Sequence, residues 1–134
     1  MKTTLLLLVA VVLWSMPAFA ADPSAAQINT AFSKADTNKD GTVSRAEAMK
    51  FGITAQAFEK ANPGKDGTLN KTEFVSAVRY QFEHANPDKD GTLSRKEAGT
   101  AGVKSNKTVT GANTDKDGTL DFAEYLHALT MQAK

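Results

Sequence analysis

Acidic residues of this chain are concentrated in four short segments of nearly identical sequence. Each segment contains Lys-Asp-Gly-Thr, and a glutamate follows the glycine six residues later. Twelve of the 15 acidic residues lie in these segments. Carboxylates gathered so closely repel one another unless a cation lies among them. A single Asp-x-Asp-Gly is typical of a tight turn, but four copies with the distal glutamate predict four binding sites for a hard cation.

Oxygen-bearing residues recur in each segment with the spacing that a chelating loop needs. Ca²⁺ takes six to eight oxygen ligands, so the backbone must wrap around the ion, and a glycine at the sixth position permits the sharp turn. In these segments, residues 36–47, 62–73, 86–97 and 113–124, the sequence resembles the EF-hand family. The resemblance implies ligands at positions 1, 3, 5, 7 (a carbonyl), 9 and 12 of each twelve-residue loop. The predicted ligands are Asp36, Asn38, Asp40, Thr42, Ser44 and Glu47 in the first loop, Asn62, Asp66, Thr68, Asn70 and Glu73 in the second, Asn86, Asp88, Asp90, Thr92, Ser94 and Glu97 in the third, and Asn113, Asp115, Asp117, Thr119, Asp121 and Glu124 in the fourth.

Apolar residues between the loops follow the helical period. Ser24 and Gln27 have the sequence of a capping box, which begins a stripe formed by Ile28, Ala31, Phe32 and Ala35. A second stripe predicts one helix running unbroken from the second loop into the third, and it consists of Phe74, Val75, Val78 and Phe82. A phenylalanine expected in the core precedes three loops by four residues, at Phe32, Phe58 and Phe82. Val109 takes this place before the fourth loop, among β-branched residues and glycine, so we expect a short or frayed helix there.

Position 8 of each loop is aliphatic, and EF hands usually pair through a short strand contact at this position, so the resemblance implies such contacts between neighbouring loops. Val43 should face Leu69, and Leu93 should face Leu120. The sequence therefore predicts an all-α fold of four helix-loop-helix units with short inter-loop helices, arranged as two pairs.

The first 20 residues have the order of parts of a secretory signal. Lys2 precedes an apolar run at 5–14, and small residues provide a cleavage site before Ala21. The run is about half of the roughly 20 residues needed to span a bilayer, so cleavage is favoured over a membrane anchor. We expect residues 1–20 to be a signal peptide and 21–134 to be a periplasmic or secreted domain that binds metal.

Charge and composition argue against several classes of function. Without Lys2, basic and acidic residues number 15 each, so no net field attracts the mature chain to nucleic acid or to a membrane. The chain has no cysteine, and bound metal is one way to stabilise a small domain that lacks disulfides. His84 and His127 fall on predicted helices and no nucleophile motif is present, so we predict that the protein is not an enzyme.

The spacing of the loops and the placement of proline add to the EF-hand resemblance. Only 14, 12 and 15 residues separate successive loops, and proline occupies position 2 in Asn62-Pro63 and Asn86-Pro87. Together with the export signal, these features are similar to those of lanmodulin and related periplasmic EF-hand proteins of bacteria. The resemblance covers nearly all of the mature chain.

Departures from the family's pattern rank the loops. Asparagine replaces the usual aspartate at position 1 in three loops, which removes a charge and should lower affinity. Gly64 leaves the second loop without a ligand at position 3. We expect the first and fourth loops to bind metal and the third to bind more weakly, whereas the second is either a working site or a scaffold retained to pair with the first.

The resemblance implies two candidate ions, Ca²⁺ and trivalent lanthanides. A trivalent ion gains more from each carboxylate, so a lanthanide site should also carry an acid at position 9, and only Asp121 meets this demand. Ca²⁺ is therefore the leading ion, and a calcium buffer, store or metal-stabilised structural module is the leading role. The alternatives are a lanmodulin-like lanthanide-binding protein and a calcium-dependent interaction module, either a sensor or dockerin-like, with a protein partner that the sequence does not identify. Only Met49 and Met131 follow the signal, which argues against the methionine-rich groove of a sensor.

Overall fold

The computed structural model describes residues 22–134, and the expected signal peptide at 1–20 lies outside this part. Helices dominate, as the sequence predicts. In chain order the elements are α1 (Ala25–Ala35), β1 (Val43–Ser44), α2 (Arg45–Phe51), α3 (Ala55–Ala61), β2 (Thr68–Leu69), α4 (Lys71–His84), α5 (Arg95–Thr100), α6 (Asn106–Ala112) and α7 (Phe122–Gln132). Within the described residues, no helix is both long and apolar enough to cross a bilayer.

Helix boundaries follow from capping by polar side chains. The predicted capping box of α1 is confirmed, since Ser24 Oγ accepts a hydrogen bond from Gln27 N and Gln27 Oε1 accepts one from Ser24 N. The helix that leaves each loop begins directly after position 9, whose side chain accepts a hydrogen bond from the backbone N–H of the position 12 glutamate. The glutamate side chain in turn accepts from the position 9 N–H. The last four residues of every loop are therefore also a capping box.

The predicted contacts at position 8 are confirmed in both pairs of loops. β1 and β2 are antiparallel, with Val43 opposite Leu69. Leu93 and Leu120 form an isolated bridge in which each N–H donates to the other's carbonyl, at 2.7 and 2.8 Å. These contacts place the first loop beside the second and the third beside the fourth.

Helix α4 connects the two pairs of loops. It has 14 residues and leads from the second loop to the third, which confirms the predicted unbroken helix. Helix α6, which enters the fourth loop, has only seven residues, as its β-branched sequence predicts. Helix α1 packs against α7, so the first and last helices also join the two pairs.

A continuous core lies between the loops and helices. The position 8 side chains are fully buried, and the phenylalanines that precede three loops are at most 7% exposed, so their predicted core role is confirmed. Phe74 packs edge-on against Phe32 and Phe51, with ring centroids 5.5 and 5.2 Å apart. Phe82 packs in the same way against Phe122 in the second half. Both halves of the chain therefore contribute to one hydrophobic cluster.

Candidate metal centre

The four loops share one backbone conformation that is unusual for their sequence. Position 4 is a lysine with a left-handed backbone in every loop, with φ of 58° at Lys39, 50° at Lys65, 56° at Lys89 and 61° at Lys116. This conformation is unfavourable for residues with a β-carbon. The glycines at position 6 also have positive φ, between 82° and 92°. Because the strained conformation recurs four times at the same place, all four segments wind in the same way.

Position 5 holds an aspartate that turns the loop onto itself. In the first loop, Asp40 Oδ1 accepts hydrogen bonds from Thr42 N and Thr42 Oγ1, both at 2.9 Å. The same pair of bonds joins positions 5 and 7 in the other loops, at Asp66 and Thr68, Asp90 and Thr92, and Asp117 and Thr119. These bonds, led by the backbone N–H of position 7, lower the pKa of Asp40 and of Asp117.

The position 12 glutamate is held most firmly in the first and fourth loops. Glu47 Oε1 accepts from Thr37 N at 3.0 Å, Thr37 Oγ1 at 2.9 Å and Asn38 N at 3.1 Å, while Oε2 accepts from Ser44 N at 2.9 Å. The bond from the Ser44 N–H is the largest contribution to lowering the pKa of Glu47 to about 2. Glu124 repeats this arrangement with Thr114, Asp115 and Asp121. Both glutamates are buried.

Proline at position 2 changes this arrangement in the second and third loops. Proline has no N–H to donate, and Pro63 and Pro87 also lack the threonine hydroxyl. Glu73 and Glu97 keep the bond from position 9, at 2.9 and 2.8 Å, through Oε2, and no hydrogen bond to either Oε1 is found in the described part of the chain. We call loops 36–47 and 113–124 the Thr loops and loops 62–73 and 86–97 the Pro loops. The sequence contained this distinction, although its effect on the glutamates was not predicted.

The side chains at position 1 are the most direct structural test of whether these loops fit a metal ion. Asp36 is satisfied within its loop, because its carboxylate accepts from Asp40 N at 3.2 Å and Gly41 N at 3.0 Å. In the other loops the corresponding amide oxygens are buried and find no hydrogen-bond donor within residues 22–134; they are Asn62 Oδ1, Asn86 Oδ1 and Asn113 Oδ1. A buried acceptor without a partner costs about 1–3 kcal/mol. Amide oxygens are ligands that hard cations such as Ca²⁺ readily bind, so these residues fit a metal.

The remaining predicted ligands lie at positions 3 and 9. Asn38, Asp88 and Asp115 accept hydrogen bonds from the N–H of position 5. At Gly64, no neighbouring atom of the described residues lies within 4 Å of where a β-carbon would stand, so the position is open. The position 9 side chains serve as the helix caps described above, and they are Ser44, Asn70, Ser94 and Asp121. Burial raises the pKa of Asp121.

The structure thus brings together positions 5 and 7, and positions 9 and 12, in all four loops. It brings position 12 to positions 2 and 3 only in the Thr loops. In residues 22–134, no three acidic or histidine side chains converge closely enough to form a metal site. The carboxylates are instead directed at backbone N–H and hydroxyl groups of their own loops, which occupy oxygens that a cation would use.

One comparison with known proteins bears on these loops. The family model described as EF hand matches residues 28–51, which comprise most of α1, the first loop and α2. The search of curated proteins gives no match to the chain. The family match supports an EF hand in this part of the chain, and an EF hand suggests calcium binding.

Proposed function

We propose that the protein binds Ca²⁺ through all four loops and acts outside the cytoplasm as a calcium buffer, store or metal-stabilised structural module. The observation that carries the proposal is the set of three buried amide oxygens without donors, each at position 1 of a loop. The family match covers the first loop, where position 1 is an aspartate. The other three loops share its wound backbone, which supports the same function for them.

The residues that would hold the ion are the predicted ligands of each loop. Bound Ca²⁺ would supply positive charge that offsets the repulsion among the loop carboxylates. The chain's own contribution is to hold the oxygens in place, through the capping box at positions 9 and 12 and the turn at positions 5 and 7. The β-contact at position 8 fixes each loop against its neighbour.

The second loop belongs among the proposed sites. Its sequence alone leaves open whether it is a site or a scaffold, because Gly64 supplies no ligand. Asn62 is only 6% exposed. Its Oδ1 accepts no hydrogen bond within residues 22–134, as is also true of Asn86 Oδ1 and Asn113 Oδ1 in the third and fourth loops. A segment retained only as scaffold would have no reason to keep a buried polar atom without a partner. We infer that this loop binds metal, with the fewest carboxylates of the four.

A metal titration of the chelator-stripped protein tests the proposal. Circular dichroism and calorimetry should show an increase in order and a heat of association on adding Ca²⁺. A variant with Asp36, Asp40, Asp117 and Glu124 replaced by their amides should lose much of this binding. The matched control replaces Glu59 and Glu83, which lie outside the loops, by glutamine and should bind as the wild type does. Folded protein that gives no heat with any divalent or trivalent ion would refute the proposal.

A trivalent ion is the second candidate, and the fourth loop is the reason. It has four carboxylates, including Asp121 at position 9, where the other loops have serine or asparagine. The same titration with La³⁺ separates the candidates. Half-saturation by La³⁺ at a concentration several orders of magnitude below that of Ca²⁺ would favour the trivalent ion as the natural ligand.

The proposed location is the periplasm or the extracellular space, on the basis of the secretory pattern in residues 1–20. Exported EF-hand modules work at calcium concentrations of about 10⁻⁴–10⁻³ M, and three asparagines at position 1 are consistent with sites of that strength. Fractionation of cells that express the full chain, with mass determination of the product, tests both export and cleavage before Ala21.

A further inference from the structure

The two halves of the chain each contain a glutamine that holds the segment between their two loops. In the first half this residue is Gln81 of α4. Its Oε1 accepts from Thr54 N at 2.9 Å, and its Nε2 donates to Gly52 O at 2.7 Å. Gly52 ends α2 in a left-handed conformation and Thr54 begins α3. Gln81 therefore fixes the linker between the first and second loops against α4.

The second half repeats this arrangement with Gln132 of α7. Both glutamines stand eight residues after the position 12 glutamate of the preceding loop. Gln132 Oε1 accepts from Lys104 N at 3.0 Å, and its Nε2 donates to Gly102 O at 2.7 Å. The linker between the third and fourth loops is thus held in the same way, by hydrogen bonds that stay within the second half.

The two glutamines differ in one respect, which is a connection between the halves. Gln81 Nε2 also lies 2.9 Å from the hydroxyl of Tyr125, and that hydroxyl donates to Ala101 O at 2.7 Å. The residue equivalent to Tyr125 in the first half, Phe74, has no hydroxyl. Gln81 Nε2 also donates directly to Ala101 O at 2.8 Å. An amide nitrogen has two protons, so one serves Gly52 O and the other is shared between Ala101 O and the Tyr125 hydroxyl. A hydrogen-bonded chain therefore runs from Gly52 O to Gln81 and on to Ala101 O, both directly and through Tyr125.

Each residue in this hydrogen-bonded chain lies on, or directly at the end of, a helix that enters or leaves a loop. Gly52 ends the helix that leaves the first loop, and Ala101 ends the helix that leaves the third. Gln81 lies on α4, which connects the second loop with the third, and Tyr125 directly follows Glu124 at position 12 of the fourth. The tyrosine is fully buried and Gln81 is 6% exposed, so water does not compete for these bonds and each is strengthened by the low local dielectric.

We propose that the Gln81 side-chain amide, with the Tyr125 hydroxyl beside it, is a positioning group that couples metal binding between the two pairs of loops. The proposal rests on the proposed metal-binding function and adds that the pairs do not bind independently. Many of the other contacts between the halves are apolar, as between Phe82 and Phe122, and apolar packing is non-directional. The hydrogen-bonded chain does depend on direction, so movement of α7 when metal binds at Glu124 is passed on to α5 and to the linker of the first pair.

Coupling is measured by loading one pair with and without the other. In the full-length protein, Glu47→Gln with Glu73→Gln disables the first pair, and the Ca²⁺ affinity of the second pair is measured by calorimetry with the first pair active or disabled. We expect an active first pair to raise the affinity of the second by at least about fivefold, the lower end of usual coupling between sites. In the Gln81→Met background, which loses both branches of the connection, the same ratio should fall below about twofold. Tyr125→Phe leaves the direct bond from Gln81 Nε2 to Ala101 O, so its ratio should lie between those of Gln81→Met and the wild type.

Two further variants separate coupling from general stability. Gln132→Met removes the equivalent amide without touching the connection between halves, so it should lower thermal stability and leave the coupling ratio unchanged. Gln81→Met removes both branches of the connection and also releases the linker of the first half. Gln132→Met releases the linker of the second half alone, so the difference between these two variants reports the connection between the halves. Phenylalanine is the natural residue at the equivalent position 74, so Tyr125→Phe is expected to fold.

The outcomes distinguish this inference from the proposed function. If the wild type binds no metal, the proposed function fails and the coupling fails with it. If the wild type binds metal but shows no coupling, or if coupling persists at the wild-type level in Gln81→Met or in Tyr125→Phe, the inference alone is overturned. If Gln132→Met loses coupling to the same extent, the ratio reports overall stability and the inference is again overturned.

Discussion

Replacing Thr37 by proline would convert the first loop from a Thr loop into a Pro loop. The change removes two hydrogen bonds to Glu47 Oε1, from Thr37 N at 3.0 Å and from Thr37 Oγ1 at 2.9 Å. The residue that would precede the new proline has a compatible backbone, because Asp36 has φ −74° and ψ 80° while Asn62, which naturally precedes a proline, has φ −110° and ψ 73°. The bond from Asn38 N remains.

The expected size of the effect follows from the two bonds. At about 0.5–1.5 kcal/mol net for each bond, the metal-free folded state should lose about 1–3 kcal/mol. Proline restricts the unfolded chain and offsets about 0.4–1 kcal/mol of this loss, so the measured loss in the free energy of unfolding should be about 0–2.6 kcal/mol. If Glu47 must leave these donors to bind a cation, the metal-bound state is unaffected. The first loop should then bind metal more tightly by about 1–3 kcal/mol, or roughly 5- to 150-fold.

Two measurements on the Thr37→Pro variant test this reasoning, one of stability and one of metal affinity. Urea unfolding of the chelator-stripped variant gives the loss of stability, and calorimetric Ca²⁺ titration gives the affinity of the first loop in a background with the other position 12 glutamates changed to glutamine. Pro63→Thr is the reciprocal control, since new donors near Glu73 should weaken binding at the second loop. A Thr37→Pro protein that is less stable and binds metal no more tightly would refute the account, because the threonine bonds would then persist in the metal-bound loop.

Three further predictions concern single positions. Asn86→Asp places a carboxylate at a site only 5% exposed, so the metal-free protein should be less stable while calorimetry shows tighter Ca²⁺ binding, and exposed Asn106→Asp should change neither by much. Hydrogen bonds hold the pKa of Glu47 at about 2, below its ordinary value of 4.5. The contribution of Glu47 to the stability of the metal-free protein is therefore present above pH 4.5 and is lost as the pH falls toward 2. Urea unfolding of Glu47→Gln should show less of this acid dependence. Leu93→Ala removes a fully buried side chain and should cost about 2–5 kcal/mol in urea unfolding, with the third and fourth loops losing metal affinity together.

Much of the fold could be predicted because its determinants are local and repeated. The register of the position 8 contacts follows from a single aliphatic residue at the same place in each loop, and a one-residue slip would turn Val43 or Leu93 out of the core. The length of α4 follows from an apolar stripe without glycine or proline between the second and third loops. Capping of α1 follows from Ser24 and Gln27.

What the sequence did not reveal depends on contacts between distant residues. Gln81 and Tyr125 are 44 residues apart, and neither residue type signals a buried partner by periodicity. The capping boxes inside the loops are different, since Ser-x-x-Glu at Ser44 and Glu47 is a known helix start. The sequence contains that signal, and it coincides with two of the predicted ligands, so the same four residues cap a helix and offer oxygens to a cation. The ligand set itself stays a prediction that metal titration must test.

The pairing of loops has a consequence for which of them binds first. Position 8 contacts join the Thr loop 36–47 to the Pro loop 62–73, and the Pro loop 86–97 to the Thr loop 113–124. The Thr loop has one carboxylate more than its partner in each pair, three against two in the first pair and four against three in the second. In a Thr loop, however, the glutamate must first give up three hydrogen bonds from positions 2 and 3. Each bond is worth about 0.5–1.5 kcal/mol, and this cost in binding free energy opposes the gain from the added carboxylate. The two members of a pair should therefore be closer in affinity than their charges imply, and the Pro loop, whose glutamate has an oxygen without a donor in residues 22–134, should require the smaller rearrangement to bind.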